Sequence, residues 1–216
     1  MKSFLFRILS IAAVLLPAYA VLCADGFYEF TVFFSAMFVH EIFHLICGRF
    51  LGMPVKLSGV GLFGIKLQFT QTTTITDRLL VFSGGIAGNI FMASLWLVAA
   101  YHTGKDMSLF IAYNIILAVI NLIPAFPLDG GRILQCALEY FFGKIRSVRI
   151  VSMLGTLIGA GMFVWGIILY LFYTDNIILP VMGIFLIYNS EREMRMCRMA
   201  YVKDILGTIS AEGLTG

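Results

Sequence analysis

Apolar residues run almost without a break along most of this chain, and the breaks define its elements. Runs of about the twenty residues needed to cross a hydrocarbon core fall at Phe4–Leu22, Phe27–Cys47, Leu79–Tyr101, Met107–Phe126, Ile150–Tyr173 and Ile177–Tyr188. The last run is short, but it could continue into the polar segment after it. Between the second and third runs, Gly52–Thr76 cannot span. Its centre, Val60–Gln68, mixes glycines with β-branched and aromatic residues, and Gln71 opens a Gln-Thr-Thr-Thr stretch. That pattern predicts a short membrane-associated β-hairpin or a re-entrant loop, with an ordinary connecting loop as the alternative. The fold class expected is an all-α polytopic membrane protein of about six transmembrane helices.

Composition agrees with this pattern. The chain has 216 residues, 60% of them hydrophobic and 12% charged, with a mean hydropathy of +0.95, whereas soluble domains carry about 25% charged residues. Basic residues then orient the spans. With the N-terminus cytoplasmic, 14 of the 15 Lys and Arg fall in inside segments and only Lys105 falls outside, a strong positive-inside bias. Both ends are therefore expected in the cytoplasm of a multi-pass cell-membrane protein. The net charge of +3 reflects orientation and anionic headgroups rather than nucleic-acid binding. Residues 1–190 form the expected transmembrane domain and residues 191–216 a basic tail.

Two local readings stay open. Residues 1–24 read either as an uncleaved first helix or as a signal peptide with an Ala18-x-Ala20 site. In the tail, apolar residues at 194, 197, 201 and 205 recur at helical spacing beside Arg192, Arg195, Arg198 and Lys203, which predicts an amphipathic helix on the inner membrane surface. The four cysteines are scattered without a C-x-x-C pair, so neither a disulfide framework nor a cysteine zinc site is indicated.

Chemistry enters in the second run. His40-Glu41-x-x-His44 places two imidazoles four residues apart, on one face of a helix, where both reach a single metal ion. Glu41, beside the first histidine, is placed to take a proton from a water that the metal activates. A central acid in such a helix costs roughly 2.5–3.5 kcal/mol on the insertion scale, so ionisable groups there mark a functional site. Counting from Arg49 at 1.5 Å per residue, His44 lies roughly 7 Å and His40 roughly 13 Å below the cytoplasmic end. The third run opens Ser83-Gly-Gly-Ile-Ala-Gly-Asn89, where small residues let the metal helix approach closely and Asn89 can hydrogen-bond across helices.

A second polar element closes the fourth run: Asn121-Leu-Ile-Pro124-Ala-Phe-Pro127-Leu-Asp129-Gly-Gly-Arg132. The two prolines stop regular helix, and Asp129 is expected on unwound backbone before a new helix at Ile133. There its carboxylate is either an N-cap or a metal ligand. Catalytic zinc takes three protein ligands and keeps one position open. His40 and His44 lack a third, and no other acid or histidine outside the motif lies so near that depth in an apolar setting.

HExxH in a membrane helix, followed some 85 residues later by N-x-x-P-x-x-P-L-D-G-G, resembles the site-2 protease family of intramembrane zinc metalloproteases. The short layout is most similar to the stage IV sporulation protein FB group. The resemblance implies zinc (Zn2+) held by His40, His44 and Asp129, Glu41 as catalytic acid/base, and Asn121 as a substrate-binding residue. Gly85–Asn89 matches a G-P-x-x-N element of the family, except that Ile86 stands in place of proline. The implied substrate is a membrane-anchored or membrane-associated protein such as a pro-sigma factor, with inhibitory membrane protein partners as in that group. The chain ends at Gly216 without the nucleotide-sensing pair of regulatory modules that often follows, which leaves both ATP control and the sigma-factor substrate open. The alternative from another class is a metal-binding membrane transporter or channel. It would need polar residues at matching depths in several helices, and outside the motifs the spans offer little beyond Asn114.

Overall fold

The computed structural model describes residues 27–52, 56–61, 64–68, 74–173 and 177–212; the first expected span lies outside them. The chain divides into two compact units, Met1–Asn121 and Leu122–Gly216.

The first unit contains α1 (Phe27–Phe50), the strands β1 (Lys56–Gly61) and β2 (Gly64–Gln68), α2 (Ile75–Thr103) and α3 (Ser108–Asn121). Along α1 the buried residues are Val32, Ala36, His40, His44 and Gly48. They stand four apart and form one stripe. α2 is closed at both ends by its own chemistry. Thr74 accepts from the Asp77 N–H while Asp77 accepts from the Thr74 N–H, a reciprocal capping box. At the other end Gly104 adopts φ 65°, and its N–H donates to the Ala100 carbonyl, a left-handed stop that suits glycine. β1 and β2 pair antiparallel from Lys56 opposite Gln68 to Gly61 opposite Gly64, with an irregularity between Leu57 and Gly59.

Small residues set the packing of α2 on α1. A Cβ at Gly84 would meet the Cys47 side chain, and one at Gly88 would enter the Phe43 ring. The glycines thus give the close approach expected of this run. Aromatic edges join the third helix, with Phe33 against Tyr113 and Tyr28 against Phe110. Many large apolar side chains point outwards, among them Phe38, Leu97 and Val119. On helices long and apolar enough to cross a membrane, such as α1 and α2, this is the surface that lipid tails cover.

The second unit contains α4 (Asp129–Phe142), α5 (Lys144–Phe172) and α6 (Ile178–Glu212). α5 is also long and apolar enough to span. It meets α6 along a seam of small residues: a Cβ at Gly155 would strike Ser190, one at Gly159 the Gly183 carbonyl, and one at Gly166 the Pro180 ring. Phe126, Val148, Val151 and Met194 form a buried cluster, with Leu134, Leu138 and Cys197 packed on it.

Three expectations need correction. The fourth run is helical only over Ser108–Asn121, about 21 Å at 1.5 Å per residue, because the chain turns before Pro124. The next helix begins at Asp129 rather than Ile133, since Gly130 and Gly131 fit the first turn against the preceding loop. The tail is no separate surface helix. It continues the last apolar run within one 35-residue α6, and of its apolar stripe Met194 and Cys197 pack inwards while Tyr201 and Ile205 stay exposed.

Candidate metal centre

His40 and His44 are 5% and 4% exposed on the buried stripe of α1. Each ring is held through Nδ1. His44 Nδ1 lies 2.7 Å from the Val81 carbonyl oxygen, which can only accept, so Nδ1 carries the proton. His40 Nδ1 lies 2.5 Å from Asn89 Oδ1. The Asn89 amide is oriented by its other end, where Nδ2 donates to Asn114 Oδ1 at 3.0 Å and to the Ala36 carbonyl at 3.3 Å. Asn114 Nδ2 in turn donates to the Phe110 carbonyl. His40 Nδ1 is therefore also the donor.

Two protonated Nδ1 atoms leave two Nε2 lone pairs, and these face each other at 3.1 Å with the rings near perpendicular. Two acceptors at that distance repel unless a cation lies between their lone pairs. Zinc–nitrogen bonds of about 2.05 Å would span 3.1 Å at an angle of about 100°, near tetrahedral. The space beside the rings is kept by a glycine: a Cβ at Gly85 would sit against His44 Nε2 and His40 Cε1. The donor geometry and this cradle both fit a zinc ion.

Glu41 follows His40 on α1 and is half-buried. Asn121 is the last residue of α3, and its Nδ2 donates to the Leu117 carbonyl at 3.0 Å. In the second unit, Asp129 is the first residue of α4. Leu128 holds the N-cap position without a side-chain cap bond, so Asp129 is not the N-cap. Its backbone is placed by close contacts: a Cβ on Gly130 would meet the Leu122 and Ile123 carbonyls, and one on Gly131 the Ala125 carbonyl. The loop closes with bonds from Ala125 N–H to the Ile123 carbonyl and from Leu128 N–H to the Ala125 carbonyl. Arg132 clamps it, with its guanidinium over the Phe126 ring and 2.6 Å from Glu193.

The sequence marks Asn89 as a hydrogen-bonding residue between helices, and it does bond across to His40, Ala36 and Asn114. That it supports a histidine, with Asn114 and the Val81 carbonyl, is not foreseen from the sequence. Asn114 was the polar residue an ion path would have used; it is 2% exposed and bonded to Asn89. Lone asparagines in apolar helices are a usable signal, because such groups must find partners there. The Val81 carbonyl left no side-chain trace.

Comparison with known proteins agrees with this chemistry. The model of Peptidase family M50 matches residues 85–165. A zinc metalloprotease of Methanocaldococcus jannaschii is 34% identical over 101 residues, covering 47% of this chain and 27% of the relative. The chain thus spans about a quarter of that protein's length. The structure of a site-2 protease from Methanocaldococcus jannaschii superposes with a TM-score of 0.68 at 22% identity, covering 87% of this chain and 88% of that one, a likeness of fold. Zinc is the ion that the relative and the family imply. The chain is thus similar to Peptidase family M50 over residues 85–165 and to that zinc metalloprotease over 101 residues, and the structural neighbour shares its fold.

Proposed function

We propose that this protein is an intramembrane zinc metalloprotease that hydrolyses peptide bonds of membrane-associated protein substrates. The observation that carries the reading is the pair of Nε2 lone pairs facing each other at 3.1 Å. His40 and His44 would hold the ion with Asp129 as the third ligand that the resemblance to site-2 proteases implies, a two-histidine, one-carboxylate donor set that catalytic zinc accepts. When bound, zinc supplies Lewis acidity, polarising the scissile carbonyl and making water a nucleophile near neutral pH.

The chain's own residues do the rest. Glu41 takes the proton of the attacking water and passes it to the leaving amine. Asn121 offers an amide to the substrate backbone at the end of α3. A substrate helix unwinds locally before cleavage, because its carbonyls are already bonded within the helix. The distribution of basic residues supports six spans in the cell membrane, with both termini and the opening to water on the cytoplasmic side. Processing of a membrane-bound pro-sigma factor is the narrowest form of the reading.

Co-expression with a panel of single-span and membrane-associated precursors, a pro-sigma factor among them, tests the assignment. Wild type should release a shortened product, whereas Glu41→Gln should keep its zinc and release none. Turnover by Glu41→Gln, or ion flux in proteoliposomes without peptidase activity, would overturn it.

A further inference from the structure

In the second unit, a cavity of about 490 Å³ opens along the seam of α5 and α6. Arg149, Met153 and Leu157 of α5 line it. They stand four apart and form a single stripe about 12 Å long. Met194 and Arg198 close it from α6. The walls therefore carry two guanidiniums and an apolar floor of Met153, Leu157 and Met194.

The polar atoms of the wall are otherwise committed. Ser152 Oγ donates to the Ser190 carbonyl and Thr156 Oγ1 to the Ser152 carbonyl. Among the described residues, the ion pairs of this unit join Arg132 to Glu193 and Arg195 to Glu191, and they do not use Arg149 or Arg198. Recognition of a polar ligand here falls to the two arginines, whose planar forks suit phosphate oxygens. Below them the surface offers only hydrocarbon contact. A small soluble anion would leave that floor wet, whereas a molecule with phosphate at one end and a hydrocarbon chain at the other matches both parts.

The location agrees with this ligand. α5 is long and apolar enough to cross a membrane; Arg149 lies near its start beside Lys144 and Arg146, where the charge distribution sets the inner headgroup layer. Basic pockets between spanning helices on that side bind anionic headgroups. We propose that this cavity binds an anionic phospholipid, its phosphate held by Arg149 and Arg198 and its acyl chain lying along Met153 and Leu157. The inference rests on the membrane placement proposed above and not on the peptidase chemistry.

Native mass spectrometry of the full chain in non-ionic detergent, titrated with phosphatidylglycerol or phosphatidylcholine, tests it. Wild type should retain phosphatidylglycerol in preference to phosphatidylcholine, and Arg149→Gln with Arg198→Gln should lose that retention by about tenfold or more. The equal-charge control, Arg146→Gln with Arg195→Gln, should bind as wild type does. Equal losses in both double variants, equal binding of the two lipids, or displacement by millimolar inorganic phosphate would each overturn the site. Glu41→Gln should bind lipid normally, so failure of the protease reading would leave this result standing. A chain that stays soluble without detergent would instead show that the membrane placement had failed.

Discussion

Asn114 Oδ1 accepts a hydrogen bond from Asn89 Nδ2, and that bond helps decide which end of the Asn89 amide faces His40. With the amide reversed, an NH₂ group would meet Nδ1, the ring proton would move to Nε2, and the lone pair aimed towards His44 would be lost. A residue on the third helix thereby governs a nitrogen on the first through an intermediary on the second.

Substituting this relay should separate metal binding from stability. Asn89→Leu should weaken zinc binding within the roughly 10–100-fold range typical of groups that orient metal ligands, and Asn114→Leu by less. Each variant also strips a partner from a buried amide, so a modest loss of stability in the zinc-free protein, about 1–3 kcal/mol, is expected and is measured apart from zinc affinity. Competition with a chromogenic chelator, read beside a thermal melt, distinguishes these effects. Wild-type zinc affinity in Asn114→Leu would show that the relay has no part in holding the ring.

Loss of a histidine should be more drastic. His44→Ala should purify with less than about a tenth of the wild-type zinc, measured by elemental analysis, because a single imidazole cannot close the shell. Stripping zinc from wild type should lower its melting temperature, since a ligand at a hundredfold excess over its Kd contributes about 2.7 kcal/mol. Equal melting with and without chelator would argue against a resident ion.

Glycines give a paired test of packing. Gly130→Ala drives a methyl against the Leu122 and Ile123 carbonyls, backbone atoms with no rotamer to escape into, and should cost about 1–3 kcal/mol. Gly161→Ala, on α5 with open space around its Cα, should instead stabilise by up to about 1 kcal/mol through helix propensity. Unfolding of both variants in detergent would reveal the opposite signs.

One acidic side chain makes a pH prediction outside the spans. The Ser108 backbone N–H, and secondarily its hydroxyl, hold the Asp106 carboxyl below the usual carboxylate range. A carboxylate depressed by folding adds stability above its unfolded value and loses that contribution as pH falls through its lower folded one. An NMR titration should place Asp106 below the usual range, and Ser108→Ala should raise it only part of the way, because the backbone bond remains.

Much of the metal centre was legible because its cost is written in side chains. Charged and imidazole groups in an apolar run have few structural excuses, so His40, Glu41 and His44 stood out as candidates, and the structure brings the two imidazoles together. Gly84, Gly85 and Gly88 likewise announced a close approach. What stayed hidden depended on backbone: the Val81 carbonyl that fixes His44, and the Leu122–Ala125 carbonyls that make room for Gly130 and Gly131 alone. Helix ends were misjudged for the same reason. Prolines told where the fourth run must stop, yet not that α4 resumes at Asp129, and the polar composition after Tyr188 left open the continuation that α6 makes without a break.

That continuity has a mechanical meaning. At 1.5 Å per residue a helix of 35 residues is about 52 Å long, some 20 Å more than a hydrocarbon core is thick. Its C-terminal portion is a stiff handle, one unbroken helix that runs on from the small-residue seam with α5. A protein that grasped the handle would therefore deliver torque to that seam directly, with no flexible coupling to absorb it.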